Sequence, residues 1–241
     1  MKRFLDPSVI FLLVVMAYMS ISSGRFSSPG DWFMGVLLTL PGIVLGLSLH
    51  EFAHAYCAHR LGDNTPKIQG RVTINPIAHM DPMGLLCIIL IGFGWGKPVM
   101  VNPMNFKRRR RDEIIVSLAG VTVNFILAIA LTVIYAIILK TSGVAIFTTT
   151  VGYTCAMIIM YAIRINLVLM VFNLIPVPPL DGFNVLAEVL RIKHTETYYK
   201  LYQNGMWILM VLIIFNVVRT IINYTVNPLF DLLMSVAYLF I

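Results

Sequence analysis

Residues 32–54 read WFMGVLLTLPGIVLGLSLHEFAH, and this stretch decides the fold. Its first 18 residues, from Trp32 to Leu49, carry no charge, and a helix that crosses a membrane needs about 20 mostly apolar residues. The run then closes on His50-Glu51-Phe52-Ala53-His54. Two imidazoles and a carboxylate are expensive at the end of an apolar span and mark function there. On a helix His50 and His54 share a face one turn apart, so both can reach one metal ion. Glu51 between them is placed to hydrogen-bond a water at the metal, not to ligate it. With the 5 His and 4 Glu of this chain, such a pattern arises by chance about 0.002 times.

The rest of the chain resembles this stretch in composition. Of 241 residues, 59% are hydrophobic and 12% charged, against about 25% charged in a typical soluble domain. That excludes a water-soluble globule. Further low-charge stretches at 7–24, 114–139, 141–163, 201–218 and 220–241 predict an all-α polytopic membrane protein of about six transmembrane helices. Residues 83–95 are shorter and Gly-rich, fitting a re-entrant or packed segment better than a crossing one. Met1-Lys2-Arg3 before the first run also resembles a secretory signal peptide; a retained span is the preferred reading. No repeat or linker divides residues 1–241, which read as a single membrane domain with its core at about 33–190.

The formal net charge of +7 is concentrated in places that speak of topology. With the N-terminus inside, the loops at 1–6, 60–113 and 181–200 hold fourteen of the 18 Lys and Arg residues, including the run Lys107-Arg108-Arg109-Arg110-Arg111. This positive-inside asymmetry predicts a multi-pass membrane protein whose site opens toward the cytoplasm. The basic run then meets the lipid bilayer, and no nucleic acid is expected as a partner. Cys57, Cys87 and Cys155 lie far apart and read as buried small hydrophobes. Arg164, inside an apolar stretch, needs a partner that the sequence does not identify.

Between residues 62 and 105 five prolines punctuate the chain. Apolar and polar residues alternate at 67–75 through Ile68, Val72 and Ile74. This pattern predicts a small membrane-associated region of short strands and loops. Such a strand could pair with an extended polypeptide. His79, in the same region, reads as a catalytic residue that stabilises the transition state, gates access or transiently binds metal, with a structural bond to Asp81 as the alternative. His59, His194 and Asn173 read as interfacial, solvated and loop-bracing residues.

Two histidines are one ligand short of a zinc site that keeps an open position for water. Asp181 is the best third ligand. It follows Pro176-Val177-Pro178-Pro179, which stops a helix, and precedes Gly182, which permits a tight turn. The helix from Trp32 reaches His50 after about 27 Å. The stretch from Thr141 returns to the same side and delivers Asp181 there. A helix N-cap is the other reading of this carboxylate.

His50-Glu51-x-x-His54 together with Asn173-x-x-Pro176-x-Pro178-x-x-Asp181-Gly182 resembles the site-2 protease family of intramembrane zinc metalloproteases, peptidase family M50. The likeness covers roughly residues 35–190. Asn75-Pro76-x-x-His79-x-Asp81-x-x-Gly84 is similar to a segment of its compact prokaryotic branch, which lacks PDZ and CBS domains. The resemblance implies one Zn2+ per chain on His50, His54 and Asp181, with Glu51 as general base. It also implies transmembrane or membrane-proximal polypeptides as substrates. Where the family often has Gly-Pro-x-x-Asn, this chain reads Gly120-Val121-Thr122-Val123-Asn124. Asn124 then either stabilises a developing oxyanion or makes a helix–helix hydrogen bond. The non-enzymatic rival is a membrane metal carrier or an inactive membrane-protein binder on the same fold. The absence of a repeated half-motif argues against the first, and the intact Glu51 against the second.

Overall fold

The computed structural model describes residues 28–91, 94–193 and 195–239. The predicted span at 7–24 and His194 lie outside them. Helix α1 (Pro29–Arg60) is started by Ser28, whose hydroxyl accepts the Asp31 N–H, with proline at its first position. It is long enough to cross a membrane and carries Pro41 internally, which neighbouring helices in a bilayer tolerate. Gly62, at φ +114°, follows its end. Three short helices come next: α2 (Thr65–Ile68), α3 (Pro76–His79) and α4 (Pro82–Ile91). A 3-10 turn at Pro103–Asn105 then leads into the long α5 (Arg109–Ser142). A second 3-10 turn joins α5 to α6 (Thr150–Leu174). A proline loop precedes α7 (Asp181–Val189), and α8 (Glu196–Ile214) and α9 (Val217–Tyr238) complete the described chain.

Helices α1, α5 and α6 pack on one another and form the centre of the molecule. Tyr135, Ala128 and Leu139 of α5, Ile163 and Leu167 of α6 and Val226 of α9 make its main apolar core. Burying such side chains stabilises by about 1.5–3 kcal/mol each in water, but in lipid close packing takes over that role. Arg164 of α6 finds its partners here. Its guanidinium donates to Asn227 Oδ1 at 2.8 Å and lies 5.8 Å from the centre of the Phe230 ring.

Of the six expected spans, the one at 7–24 lies outside the described residues, and the other five are not all formed. Among the described residues three helices are long and apolar enough to cross, and a fourth span arises if α8 and α9 count as one. Those two are bent by 71°. Asn216, at the left-handed φ of +58°, breaks the helix that composition alone would continue. The span expected from residue 141 instead begins after α5 has run on to Ser142.

The predicted strands are also absent from the described residues, where one isolated bridge joins Met80 and Gly96. The alternating stretch 67–75 begins inside α2, turns at Gly70 (φ +68°) and ends on Asn75, whose side chain caps α3. Ile68, Ile74 and Ile77 point outward and stand 84%, 68% and 81% exposed. At about 15 Å, the ten residues of α4 are too short to cross. Instead the chain doubles back: a Cβ added to Gly84 would lie 2.0 Å from Trp95 O, and one on Gly94 2.0 Å from Gly84 O. Of the three cysteines only Cys87 is fully buried, and Cys155 is exposed.

Candidate metal centre

His50 and His54 stand one turn apart on α1, and both rings turn toward α5. Gly120 of α5 makes room for them. A Cβ at that position would lie 2.5 Å from His50 Cε1 and 2.6 Å from His54 Nε2. Any side chain there would displace both imidazoles, so the close approach of α1 and α5 requires glycine.

The hydrogen bonds behind the rings fix which nitrogen carries the proton. His54 Nδ1 lies 2.7 Å from the carbonyl oxygen of Val116. A carbonyl only accepts, so His54 Nδ1 bears the hydrogen. His50 is set through two amides. Asn166 Nδ2 donates to the Ala162 carbonyl at 2.8 Å, which turns Asn166 Oδ1 toward Asn124. Asn124 Nδ2 donates to that oxygen at 2.9 Å and to Gly46 O at 3.3 Å. Asn124 Oδ1 therefore faces His50 Nδ1, 2.7 Å away, and accepts its hydrogen. In the neutral form both Nε2 atoms are left with bare lone pairs.

Those two lone pairs face one another at 3.0 Å. Asp181 Oδ2 completes the triangle, 3.1 Å from His50 Nε2 and 3.2 Å from His54 Nε2. It is buried and receives no hydrogen bond. Three acceptor atoms crowded together without a donor are untenable unless positive charge lies between them. The spacing fits an ion. Metal–ligand distances of about 2.0–2.2 Å on a tetrahedron put ligand atoms about 3.3–3.6 Å apart, within a few tenths of the triangle found. Two neutral imidazoles and a carboxylate are also a donor set of zinc.

The carboxylate reaches this point through local backbone rules. Prolines 176, 178 and 179 end α6, and Asp181 opens α7 as its first residue, with Leu180 at the cap position. The N-cap reading of Asp181 is therefore not what the structure shows. Gly182 lets α7 begin hard against the end of α6, since a Cβ there would lie 2.2 Å from Leu174 O.

With this geometry in hand, comparison with known proteins is decisive. The sequence profile of Peptidase family M50 matches residues 38–217. The chain belongs to that family. It is 39% identical over 161 residues to the Bacillus subtilis strain 168 protein named "Putative zinc metalloprotease YwhC", covering 64% of this chain and 71% of that one. It is 30% identical over 227 residues to "Putative zinc metalloprotease Rip2" of Mycolicibacterium smegmatis, covering 89% and 83%. No solved structure gives a significant match.

The other residues singled out in this M50 chain fall in different places. Glu51 Oε2 accepts the Val99 N–H at 3.0 Å, so the base candidate is held by the segment that returns from α4. That segment runs along α1. Lys97 N donates to His79 O at 2.8 Å, and Asn102 N donates to Asp63 Oδ2 at 2.7 Å. The His79 ring does not join the triangle: it is fully buried, and its Nε2 donates to Thr73 O at 2.7 Å. Nor does it bond Asp81, whose carboxylate caps the first turn of α4 through Met83 and Gly84 N–H. Asn124 is spent on His50, Gly46 and Asn166, behind the imidazole. Asn173 donates to Leu169 O within its own helix.

Three groups of residues escaped the sequence reading. Asn166, a polar residue in an apolar stretch, carried a signal in its placement. Asp63 carried none: it is completely buried and accepts from Thr65 N and Oγ1, Asn102 N and Asn105 Nδ2. Burial opposes its ionisation, yet those four donors hold its carboxyl below the ordinary range. The third group ties α7 to α5. Lys193 bridges the buried Glu113 and Glu188, Arg109 pairs with Glu113 at 3.0 Å, and Arg110 donates to the Glu188 and Val189 carbonyls at 2.8 and 2.9 Å.

Proposed function

We propose that this M50 chain is a zinc-dependent endopeptidase that hydrolyses peptide bonds within, or at the edge of, the membrane. The observation that carries the reading is the triangle of His50 Nε2, His54 Nε2 and Asp181 Oδ2, built beside Glu51 near the end of a membrane-length helix. These three side chains would hold the zinc. When bound, zinc polarises a scissile carbonyl and makes water acidic enough to be deprotonated near neutral pH.

The chain's own residues account for the remaining steps. Glu51 takes a proton from the attacking water and returns it to the leaving amine nitrogen, which regenerates the carboxylate. Asn124 and Asn166 keep His50 in the tautomer that ligates, and Val116 does the same for His54. A transmembrane or membrane-proximal polypeptide must present its bond in extended form, because a helix hides its peptide groups. Residues 97–101 lie outside any helix, with Val99 bonded to Glu51, and we place the pairing with an extended substrate there in place of the stretch 67–75 that forms turns. The concentration of basic residues on the loops at that end supports a site open toward the cytoplasm.

Replacing Glu51 by Gln tests this reading. The variant is expected to keep zinc at one per chain and to lose hydrolysis of a membrane-embedded polypeptide by at least about 100-fold, since general-base help is worth about 10²–10⁴-fold. A metal carrier or inactive binder predicts the same zinc content and no hydrolysis in either form. Processing that survives the substitution removes Glu51 from the mechanism.

A further inference from the structure

The five basic residues at 107–111 differ in their partners. Arg109 pairs with Glu113 one turn along α5, and Arg110 donates to the carbonyls that end α7. Lys107, Arg108 and Arg111 go elsewhere. They join Arg60, the last residue of α1, around a hollow of about 280 Å³ that Leu61, Gly62 and Asp112 complete. Among the described residues none of these four cations makes an ion pair. Asp112, on the same wall, is buried and already accepts the Arg108 backbone N–H at 2.9 Å. The wall carries a net +3, from four cations and one carboxylate. Like charges held round one hollow repel unless an anion sits among them.

The surroundings say what kind of anion. Arg60 closes one span and Arg111 opens another, so the hollow lies at the level where the apolar parts of α1 and α5 end. A second, wider hollow of about 580 Å³ adjoins it and is walled by Arg108, Arg109, Arg110 and Arg111. Ile114 and Ile115 floor that one on the membrane side. A hollow ringed by cations beside one lined by arginine stems and isoleucines suits an amphiphile better than a free ion, with phosphate in the first and acyl chain along the second. We propose that Arg60, Lys107, Arg108 and Arg111 form a binding site for the phosphate headgroup of an anionic phospholipid. The site is separate from the metal centre, and the proposal does not rest on the protease reading.

The test is lipid retention. The full chain is reconstituted in vesicles of equimolar phosphatidylcholine and phosphatidylglycerol and extracted in mild detergent, and the bound lipids are quantified. The wild type is expected to retain phosphatidylglycerol preferentially. Basic residues near an anionic surface contribute about fivefold each, so Arg108→Gln/Arg111→Gln is expected to lower the preference on the order of tenfold or more. Arg60→Gln, on the other helix, is expected to lower it about fivefold. Lys140→Gln, at the far end of α5, is expected to change nothing, and unchanged zinc content in each variant reports an intact fold. Wild-type retention by the double variant overturns the proposal, as does an equal loss in Lys140→Gln. Displacement of the lipid by an equal concentration of inorganic phosphate would show a site for the free ion instead.

Discussion

Two polar regions of this protein, one behind His50 and one where α5 meets α7, are built on different principles. Around His50 every supporting partner is neutral: the Asn124 and Asn166 amides and the carbonyls of Val116, Gly46 and Ala162. At the α5–α7 end the partners are ions, with Lys193, Arg109 and Arg110 set against Glu113, Glu188 and helix carbonyls. Depth explains the difference. Within an apolar span an unpaired charge is costly, whereas an amide satisfied at both ends is cheap to bury and keeps its direction. Where the spans end, water is near, and charged side chains can snorkel and pair. The neutral network sets direction at the metal, and the ionic one holds the helix that brings the third ligand.

If that division is right, damage to the neutral region should be the more severe. Gly120→Ala pushes a methyl group into both imidazoles at once, and zinc affinity is expected to fall on the order of 100-fold by chelator competition. An unaltered affinity would show that α1 and α5 separate easily. Asn166→Leu leaves every ligand in place but frees Asn124 to turn its amide over. The expected cost is about tenfold in zinc affinity, with a shifted d–d spectrum after cobalt substitution. Were Asn166→Leu to bind zinc like the wild type, the amide chain would have no part in setting His50.

The ionic region should yield smaller effects. Lys193→Met removes one cation from Glu113 and Glu188, yet Arg109 still pairs with Glu113 and water is close. Thermal stability is expected to drop by no more than about 1–2 kcal/mol and zinc affinity by less than about tenfold, with Lys193→Arg restoring both. A loss as large as that of Gly120→Ala would erase the distinction. Asp63 adds a pH test. Its carboxyl is held below the unfolded value, so its contribution is present above about pH 4 and is lost as pH falls through the folded pKa. Asp63→Asn is expected to flatten that acid limb in denaturation measured against pH.

The sequence showed the metal-bearing half of this molecule more clearly than the rest. The core of α1, α5 and α6 follows from low-charge stretches of membrane length, and His50, His54 and Asp181 follow from spacing and from a proline loop placed on the returning side. The region at 62–105 was misread because period-two alternation signifies a strand only when a partner strand exists. Here Pro66, Gly70 and Asn75 turn the chain before one can pair. Asn216 hides in a long apolar tract, where composition cannot report a left-handed residue. The partners of Arg164 lie 63 and more residues away, beyond the reach of any local pattern.

The chain of amides behind His50 ends on the carbonyl of Ala162, which belongs to a different helix from the ligand it governs. The ligating tautomer of His50 is therefore specified only after α1, α5 and α6 have come together. A bundle still assembling, or one pulled apart, presents an imidazole free to turn its N–H toward the ion. The order of the ligand at the metal centre is thus a property of the packed three-helix core and not of α1 alone.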